Sequence, residues 1–241
     1  MGEIDLKIMS TNRVKVLDLI NRFGVIANKQ MFKYFEGEIT YHSIYKILDY
    51  LEKENFIVKS NIGRVFYVYI RPNAAAVVSE PMYKFNRLNQ TELLHDLRVN
   101  DYLINRYVEA KNDDRFKRVS FTTERELIDE YLIENENKIT DTNYTRQIDK
   151  LKRHMADGIL EVEYHDNRIV RTAIEYELTQ KGKMMYEKIM NRYNNMIKSG
   201  QIDLVIYIVK GRRIQRKIEQ VMSEQEYNFR IVFKDADEVF E

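Results

Sequence analysis

The sequence contains no cysteine and no tryptophan, and only two of its 241 residues are proline. The lack of cysteine excludes a disulfide scaffold, a thiolate-bound zinc site and a cysteine nucleophile. Glycine is also scarce, at eight residues, and the sequence has neither of the phosphate-binding motifs G-x-x-x-x-G-K-[ST] and G-x-G-x-x-G. Nucleotide-binding loops of those two types are therefore excluded.

Long apolar runs and an excess of one charge are missing as well. No run approaches the roughly 18 residues of a membrane helix, and the first residues lack the apolar core of a signal peptide. We therefore expect a cytoplasmic protein that does not bind membranes. The 39 basic and 38 acidic side chains leave a formal net charge of +1, so the total charge does not indicate a nucleic-acid partner.

The sequence does contain enough apolar residues, 44% of the total, to build a folded core and to exclude a disordered tail. Pro72 and Pro81 bracket the one segment with the character of a linker. We expect this segment to be extended or turning, because each proline disfavours a helical residue before it. The sequence predicts a first domain of residues 1–80 and a second of residues 81–241, with the boundary near 72–90.

The first 80 residues predict three helices followed by a hairpin. Apolar residues recur at helical spacing in the first and third helices, and Thr40 is suited to cap the third. Two strand-like runs then flank a short turn, Asn61-Ile62-Gly63. The helical segments are 12–24, 28–35 and 41–56, and the strands are 57–61 and 64–70. Three helices followed by a hairpin is the order of a winged helix-turn-helix.

The outward face of the third helix is the first candidate site, because a recognition helix buries one face and offers its N-terminal residues to the major groove. The residues left outward near its N-terminus are Tyr41, His42, Ser43, Tyr45 and Lys46. The hairpin adds Lys59 and Arg64 for contacts to the phosphate backbone. The net charge of residues 1–80, +2 from 11 basic and 9 acidic side chains, supports DNA only weakly. A tyrosine-rich face also suits a protein-interaction module, which stays open as an alternative.

After the linker, helical patterns alternate with short strands that are largely apolar. The helical segments are 90–110, 143–155, 181–200 and 212–222, and the strands are 118–123, 158–168, 169–179, 204–209 and 229–233. This alternation predicts an α/β domain with a central mixed sheet covered on both faces, and an α+β chain overall. The acidic end, 235–241, is expected to be frayed.

An acidic set in this second part is the next candidate site. Asp157 precedes one strand, and Glu175 and Glu177 lie two residues apart on the next, so that both point to the same face. Such carboxylates gather oxygen ligands for Mg²⁺, and a nearby lysine, Lys181, would stabilise charge developing on a phosphate. The alternative is that the two glutamates lie on a solvated strand face, because apolar residues alternate with them.

A dense basic cluster occurs at 210–217, where a strand ends and a helix begins. Its five basic residues are Lys210, Arg212, Arg213, Arg216 and Lys217. Because a helix N-terminus already favours phosphate, we expect a second DNA contact through Arg212, Arg213 and Arg216. The alternative is an ordinary solvated helix face.

The layout resembles the replication-relaxation family of plasmids and integrative elements, in which a winged helix precedes a divergent nuclease-like α/β region. Three segments carry the resemblance: LLHDLRVNDYLI from residue 93, ADGILEVE from residue 156 and AIEYELTQKGKMMYEKIMNRY from residue 173. The second and third also resemble the D…(D/E)-x-K core of restriction-type nucleases in its E-x-E variant. By this resemblance Asp157 matches the first acid, Glu175 the second, and Glu177 the position that lysine usually holds.

The function that these features favour is sequence-specific binding of double-stranded DNA without catalysis. The resemblance implies a protein of a plasmid or mobile element that acts in replication, transfer or their regulation. It also implies replication or transfer proteins of the element as further partners, and a homodimer is left open. No cofactor is expected for this function.

Two alternative functions stay open. The first is a Mg²⁺-dependent DNA nuclease or nickase, with Asp157, Glu175, Glu177 and Lys181 as catalytic residues and the first two as metal ligands. The second is a protein-interaction adaptor whose winged helix mediates dimerisation.

Overall fold

The chain divides into two compact units, residues 1–100 and residues 101–241. The computed structural model describes residues 9–83, 92–135 and 144–239. The boundary between the units falls inside a helix, whereas the sequence favours a boundary near 72–90. The packing of the segments on either side of that predicted linker explains the difference.

The first unit has three helices followed by a hairpin, in the predicted order. Its elements are α1 (Thr11–Phe23), β1 (Val25–Ala27), α2 (Asn28–Tyr34), α3 (Tyr41–Lys53), β2 (Ile57–Ile62) and β3 (Val65–Ile70). The three strands form an antiparallel sheet in the order β1-β3-β2. The sequence pattern does not predict β1, because three consecutive buried residues show no periodicity.

Helix α3 forms as its sequence predicts. The hydroxyl oxygen of Thr40 accepts a hydrogen bond from the backbone N–H of Ser43 at 3.3 Å and caps the helix. The apolar stripe that faces the core consists of Ile44, Ile47, Leu48 and Leu51, all of them buried. The opposite face of α3 is therefore left at the surface.

The segment after β3, predicted to be a linker, turns and packs against the first unit. Pro72–Ala76 form a 3-10 helix, and Val78 beyond it is buried. The N–H and the hydroxyl of Ser79 both donate to the carboxylate of Asp18 on α1, at 2.9 and 2.6 Å. This segment therefore belongs to the first unit, and the remainder of the predicted linker at 84–90 lies outside the described residues.

Helix α4 (Leu93–Lys111) carries the chain from the first unit into the second. Leu93 and Leu97 in its first half are buried in one cluster with Val25 and Tyr67 of the small sheet. The first two turns of α4 are thus part of the core of the first unit. This packing places the boundary after these turns.

Two buried amides fasten β1 to its surroundings. Gln30 on α2 donates from Nε2 to the carbonyl oxygen of Leu97 at 2.5 Å and accepts the N–H of Ala27 at 2.9 Å. Asn100 donates from Nδ2 to the carbonyl oxygen of Val25 at 2.8 Å. Both amides are shielded from solvent, so these bonds satisfy backbone groups that water does not reach.

The second unit contains the predicted α/β fold with a central mixed sheet. Its further elements are β4 (Phe116–Thr123), α5 (Glu124–Glu134), α6 (Tyr144–Lys152), β5 (Gly158–Tyr164), β6 (Ile169–Glu177), α7 (Lys183–Lys198), β7 (Leu204–Val209), α8 (Arg212–Glu224), β8 (Ile231–Asp235) and α9 (Ala236–Val239). The strand order is β4-β5-β6-β7-β8. Strands β4 to β6 run antiparallel to one another, and β6 to β8 are parallel.

Helices cover both faces of this sheet, as predicted. Helices α7 and α8 pack on one face in a cluster that includes Tyr186, Ile189, Tyr193, Val205, Tyr207, Ile214 and Ile218. Phe233 of β8 packs against the same cluster, so its neighbour Lys234 points to the opposite face. There the ammonium of Lys234 lies 5.8 Å from the ring centre of Tyr102 on α4.

The described helices are amphipathic. The longest, α4 with 19 residues, carries charged side chains along its length. None of the described helices combines the length and the apolar character needed to cross a membrane. The prediction that residues 235–241 are frayed is wrong in part, because residues 236–239 form the short helix α9.

Replacing Gln30 by methionine keeps the side-chain volume but removes the acceptor for the N–H of Ala27. We expect the free energy of unfolding to fall by about 1–3 kcal/mol, because a buried backbone donor is left unpaired. Lys33→Met on the same helix is the control, since it removes an exposed ion pair with Glu36, worth less than about 1 kcal/mol. Urea denaturation measures both variants, and equal effects would show that Gln30 does not hold β1 in place.

Candidate functional site

The exposed face of α3 presents the residues that the sequence places there. Tyr41 and Tyr45 are 59% and 50% exposed, and His42 and Lys46 are exposed as well. Ser43 differs, because it is half-buried and its hydroxyl lies 2.9 Å from that of Thr40. Ser43 therefore completes the helix cap, and the other four residues form the accessible surface.

An aromatic contact from α2 holds the two tyrosines in place. The ring centre of Phe32 lies 4.7 Å from that of Tyr41 and 5.2 Å from that of Tyr45, in tilted and edge-on arrangements. Such geometries are favourable for aromatic pairs. Phe32 is a residue of this surface that the sequence pattern did not single out, because nothing in α2 alone shows which ring meets α3.

Lys59 on the hairpin is placed differently from the prediction. Its ammonium lies 2.6 Å from the carboxylate of Asp49 and 2.9 Å from that of Glu52, both on α3. The hydrogen bond to Asp49 and, to a smaller extent, the one to Glu52 raise the pKa of Lys59 above its ordinary value. Lys59 is thus engaged with α3 rather than held out for a phosphate, and it offsets one of the two negative charges of Asp49 and Glu52.

The tip of the hairpin is exposed and mixed in character. Arg64 lies in the turn between β2 and β3, where Gly63 adopts a left-handed conformation with φ of +57°. Phe66 on β3 is 63% exposed. The sequence does not reveal this exposure, because the run from Val65 to Ile70 is apolar throughout and shows no alternation between faces.

The two glutamates of the acidic set are buried. Glu175 is 7% and Glu177 is 3% exposed, on the face of β6 that is covered by α7. The solvated strand face that the alternation favours is therefore not what forms. In a sheet covered on both faces, alternating residues enter two buried environments, and Glu175 and Glu177 lie on the same face of β6 as Ala173 of the α7–α8 cluster.

Glu175 is neutralised by helix α7. The guanidinium of Arg192 lies 2.8 Å from its carboxylate, and the hydroxyl of Tyr193 donates a short hydrogen bond to the same oxygen. The other end of the guanidinium donates to the carbonyl oxygen of Met155 at 2.8 Å. Burial opposes the charge of Arg192, but Tyr193 and Glu175 outweigh this effect and keep the pKa of Arg192 above its ordinary value.

Glu177 pairs with Lys181, four residues along the chain. Burial raises the pKa of Glu177 above its ordinary value, and the charge of Lys181 only partly opposes the rise. The backbone N–H of Lys181 donates to the hydroxyl oxygen of Tyr186 at 3.0 Å and fixes the loop that returns this lysine to the strand. The structure thus brings together Glu177 and Lys181 as predicted, but as an ion pair.

Asp157 has a structural contact at the start of β5. Its carboxylate accepts the N–H of Tyr176 at 2.6 Å, and its own N–H donates to the carbonyl oxygen of Ile174 at 3.1 Å. Throughout 9–83, 92–135 and 144–239, no three His, Cys, Asp or Glu side chains are placed to hold a metal ion. Because Asp157, Glu175 and Glu177 each accept hydrogen bonds from protein donors, as placed they do not fit Mg²⁺.

The basic cluster at 210–217 lies at the N-terminus of α8. Arg212, Arg213 and Arg216 are exposed, and within the described parts of the chain none has a carboxylate partner. Ile214 and Ile218 of the same helix are buried. The arginines therefore form a charged surface, and its DNA contact stays a prediction.

Removing the charge of Glu175 tests the buried pair. Glu175→Gln leaves Arg192 buried without a carboxylate, and we expect a loss of about 3–5 kcal/mol in the free energy of unfolding. Glu161→Gln is the control, since its partner Arg171 is partly exposed at 2.6 Å and the pair is worth about 1 kcal/mol or less. In the double variant with Arg192→Met, the cost should be well below the sum of the single costs, as measured by urea denaturation. Additive costs would show that the two groups do not interact.

The raised pKa of Glu177 determines the direction in which the stability of the protein changes with pH. Its pKa is raised in the folded protein, so its contribution to stability is fully present below the unfolded pKa of about 4.5 and is lost as pH rises through the folded pKa. The stability of the wild type relative to Glu177→Gln should therefore increase from pH 7 toward pH 4.5, by about 1.4 kcal/mol for each pH unit between the two pKa values. Urea denaturation at a series of pH values measures this difference, and a decrease on acidification would contradict it.

Comparison with protein-family models gave no match for this chain. Comparisons with curated proteins and with solved structures gave no match either. The resemblance to the replication-relaxation family stays a prediction, and the function is inferred from the residues described above.

Proposed function

We propose that the protein binds double-stranded DNA with sequence preference through its first unit, with α3 as the recognition helix and the β2–β3 hairpin as the wing. By the resemblance, such a protein serves a plasmid or mobile element in replication, transfer or their regulation. Its site of action is then the cytoplasm.

The observation that carries the proposal is the division of α3 into a buried and an exposed face. The exposed face presents Tyr41, His42, Tyr45 and Lys46 within the first two turns of the helix. Phenol and imidazole groups donate and accept hydrogen bonds at base edges, and an ammonium binds phosphate. In recognition helices it is the N-terminal residues that contact base edges.

The charges around α3 support the same proposal. Asp49 and Glu52, farther along the helix, would repel phosphate if they were free. Lys59 lies within 2.9 Å of both carboxylates and offsets half of their combined charge. Lys46 and Arg64 are exposed cations of the same unit that have no carboxylate partner in the part of the chain that is described.

The nuclease alternative has less support from the geometry. Catalysis by Asp157, Glu175 and Glu177 requires carboxylates that face a substrate and share a metal ion. The two glutamates are instead almost fully buried and bound to Arg192 and Lys181. We therefore infer that these groups stabilise the second unit.

The adaptor alternative is favoured by one observation, the exposure of Phe66 in addition to that of Tyr41 and Tyr45 in the first unit. Exposed aromatic side chains are typical of protein interfaces. Light scattering distinguishes the alternatives. A dimer that forms without DNA and is lost in Phe66→Ser would favour the adaptor, whereas a monomer that assembles only on DNA would favour the proposal.

Selection from a library of random duplexes, followed by fluorescence anisotropy, tests the proposal directly. We expect the full chain to enrich a motif and to bind it more tightly than a scrambled duplex. The double variant Tyr41→Phe with Tyr45→Phe keeps the ring contacts to Phe32 and removes only the hydroxyls. It should reduce the preference for the motif by about 1–3 kcal/mol.

The charge of α3 is tested separately. Lys46→Ala should weaken binding to the motif and to scrambled DNA alike, with the salt slope reduced by about 1. Lys53→Ala removes the same charge from the C-terminal end of the same helix and should have a smaller effect. If no motif is enriched, or if binding does not depend on salt, the proposal fails.

A further inference from the structure

Helices α6 and α7 line a groove in the second unit. Two cavities of about 650 and 630 Å³ adjoin there, and both are lined by His154 and Lys188. Because they share these two residues, they are adjacent, and together they are called here the α6–α7 groove. The further lining residues used below are Arg146, Asp149, Lys150, Arg153, Asn191 and Asn195.

The charge of the groove is positive and largely uncompensated. Its exposed cations are Arg146, Lys150, Arg153 and Lys188, and none of them has a carboxylate partner within the described ranges. Among the described residues that line the groove, the one acidic side chain is that of Asp149. Four cations and one carboxylate leave a charge of +3. This charge is local, because the whole chain sums to +1.

His154, at the centre of the groove, responds to this charge. Partial burial lowers the pKa of His154, and the charges of Arg192, Lys150, Lys188 and Arg153 lower it further. The guanidinium of Arg192 is already bound to Glu175 and Met155, so it contributes charge to the groove without being free to bind a ligand. The centre of the groove therefore has a positive potential.

We propose that the α6–α7 groove binds the phosphodiester backbone of double-stranded DNA. Lys188 and Asn195 are seven residues apart on α7, which is about 10 Å along the helix axis. That length corresponds to the rise of about three base pairs along a duplex axis, at about 3.4 Å each. The amides of Asn191 and Asn195 donate hydrogen bonds to phosphate oxygens beside the cations.

A duplex fits the lining better than a single strand or a free nucleotide. Binding of unpaired bases relies on aromatic side chains on which the bases stack. Of the residues that the structure describes, no phenylalanine, tyrosine or tryptophan lines either cavity. The groove thus offers charge and hydrogen-bond donors for a backbone but no surface for a base, and its binding is independent of sequence.

A triple variant of the full chain, Lys150→Ala with Arg153→Ala and Lys188→Ala, tests the groove. Fluorescence anisotropy with a mixed-sequence duplex over a salt series should show the slope of log Kobs against log salt reduced by about 2–3, since each lost phosphate contact removes about 0.9. Affinity for any duplex should fall by the same factor. An unchanged slope overturns the proposal.

The matched control removes three cations that already have carboxylate partners. Arg115, Lys117 and Arg168 pair with Asp113, Glu163 and Asp166 on the surface of the same unit. Their triple alanine variant changes the net charge equally and should leave the salt slope almost unchanged. Equal losses in the two triple variants would show a general charge effect and overturn the groove as a site. Circular dichroism confirms that both variants are folded.

A second readout comes from the imidazole of His154, followed by NMR and assigned with a His154→Asn variant. Bound duplex should raise the pKa of His154, because phosphate offsets the surrounding cations. If the pKa of His154 rises with a single-stranded oligonucleotide or with inorganic phosphate but not with duplex, the proposal is overturned in favour of those ligands. The proposal shares only its ligand class with the proposed function. The Tyr41→Phe with Tyr45→Phe variant changes sequence preference, whereas the groove variant leaves the preference unchanged and lowers affinity for every duplex. Failure of one proposal is therefore distinguishable from failure of the other.

Discussion

The buried ion pair between Glu175 and Arg192 gives the second unit a directional constraint that its apolar contacts do not provide. A carboxylate on a central strand, shielded on both sides, is strongly unfavourable unless a cation and hydrogen-bond donors accompany it. Helix α7 supplies Arg192 and Tyr193 at this point of β6. An apolar helix face alone tolerates small sliding movements over a sheet, whereas these directional bonds fix which turn of α7 lies over which residue of the strand.

The same arginine separates two regions of opposite charge. On one side it is bound to the acidic strand, and on the other it borders the groove where Lys188 and His154 lie. Two acidic side chains, Glu175 and Glu177, are thus buried inside the second unit, while the cations of the α6–α7 groove are exposed. A near-neutral total charge is therefore compatible with a locally basic surface. Net charge alone therefore says little about whether a surface of this protein attracts a polyanion.

The sequence predicts the elements of this fold better than it predicts their environments. The apolar residues of α3 recur at helical spacing, and the sequence therefore predicts that they are buried, as they are in the structure. Three features escape the sequence for physical reasons. Strand β1 is too short to show a period, and Glu175 alternates with apolar residues in a sheet whose two faces are both covered. Lys59 lies on a strand and its partners Asp49 and Glu52 on a helix, so the pairing forms only when the two elements pack together. Pairing across elements is a property of the tertiary structure, and local patterns do not contain it.

The contact of Phe32 with Tyr41 and Tyr45 has a consequence for conformational entropy. When a ligand immobilises a surface side chain that is free to rotate, the loss of conformational entropy costs about 0.5–1.5 kcal/mol of binding free energy. The two tyrosines that project from α3 are already restricted by the ring of α2. Their ordering is completed when the first unit folds, so a molecule that docks on α3 retains more of its interaction energy as affinity.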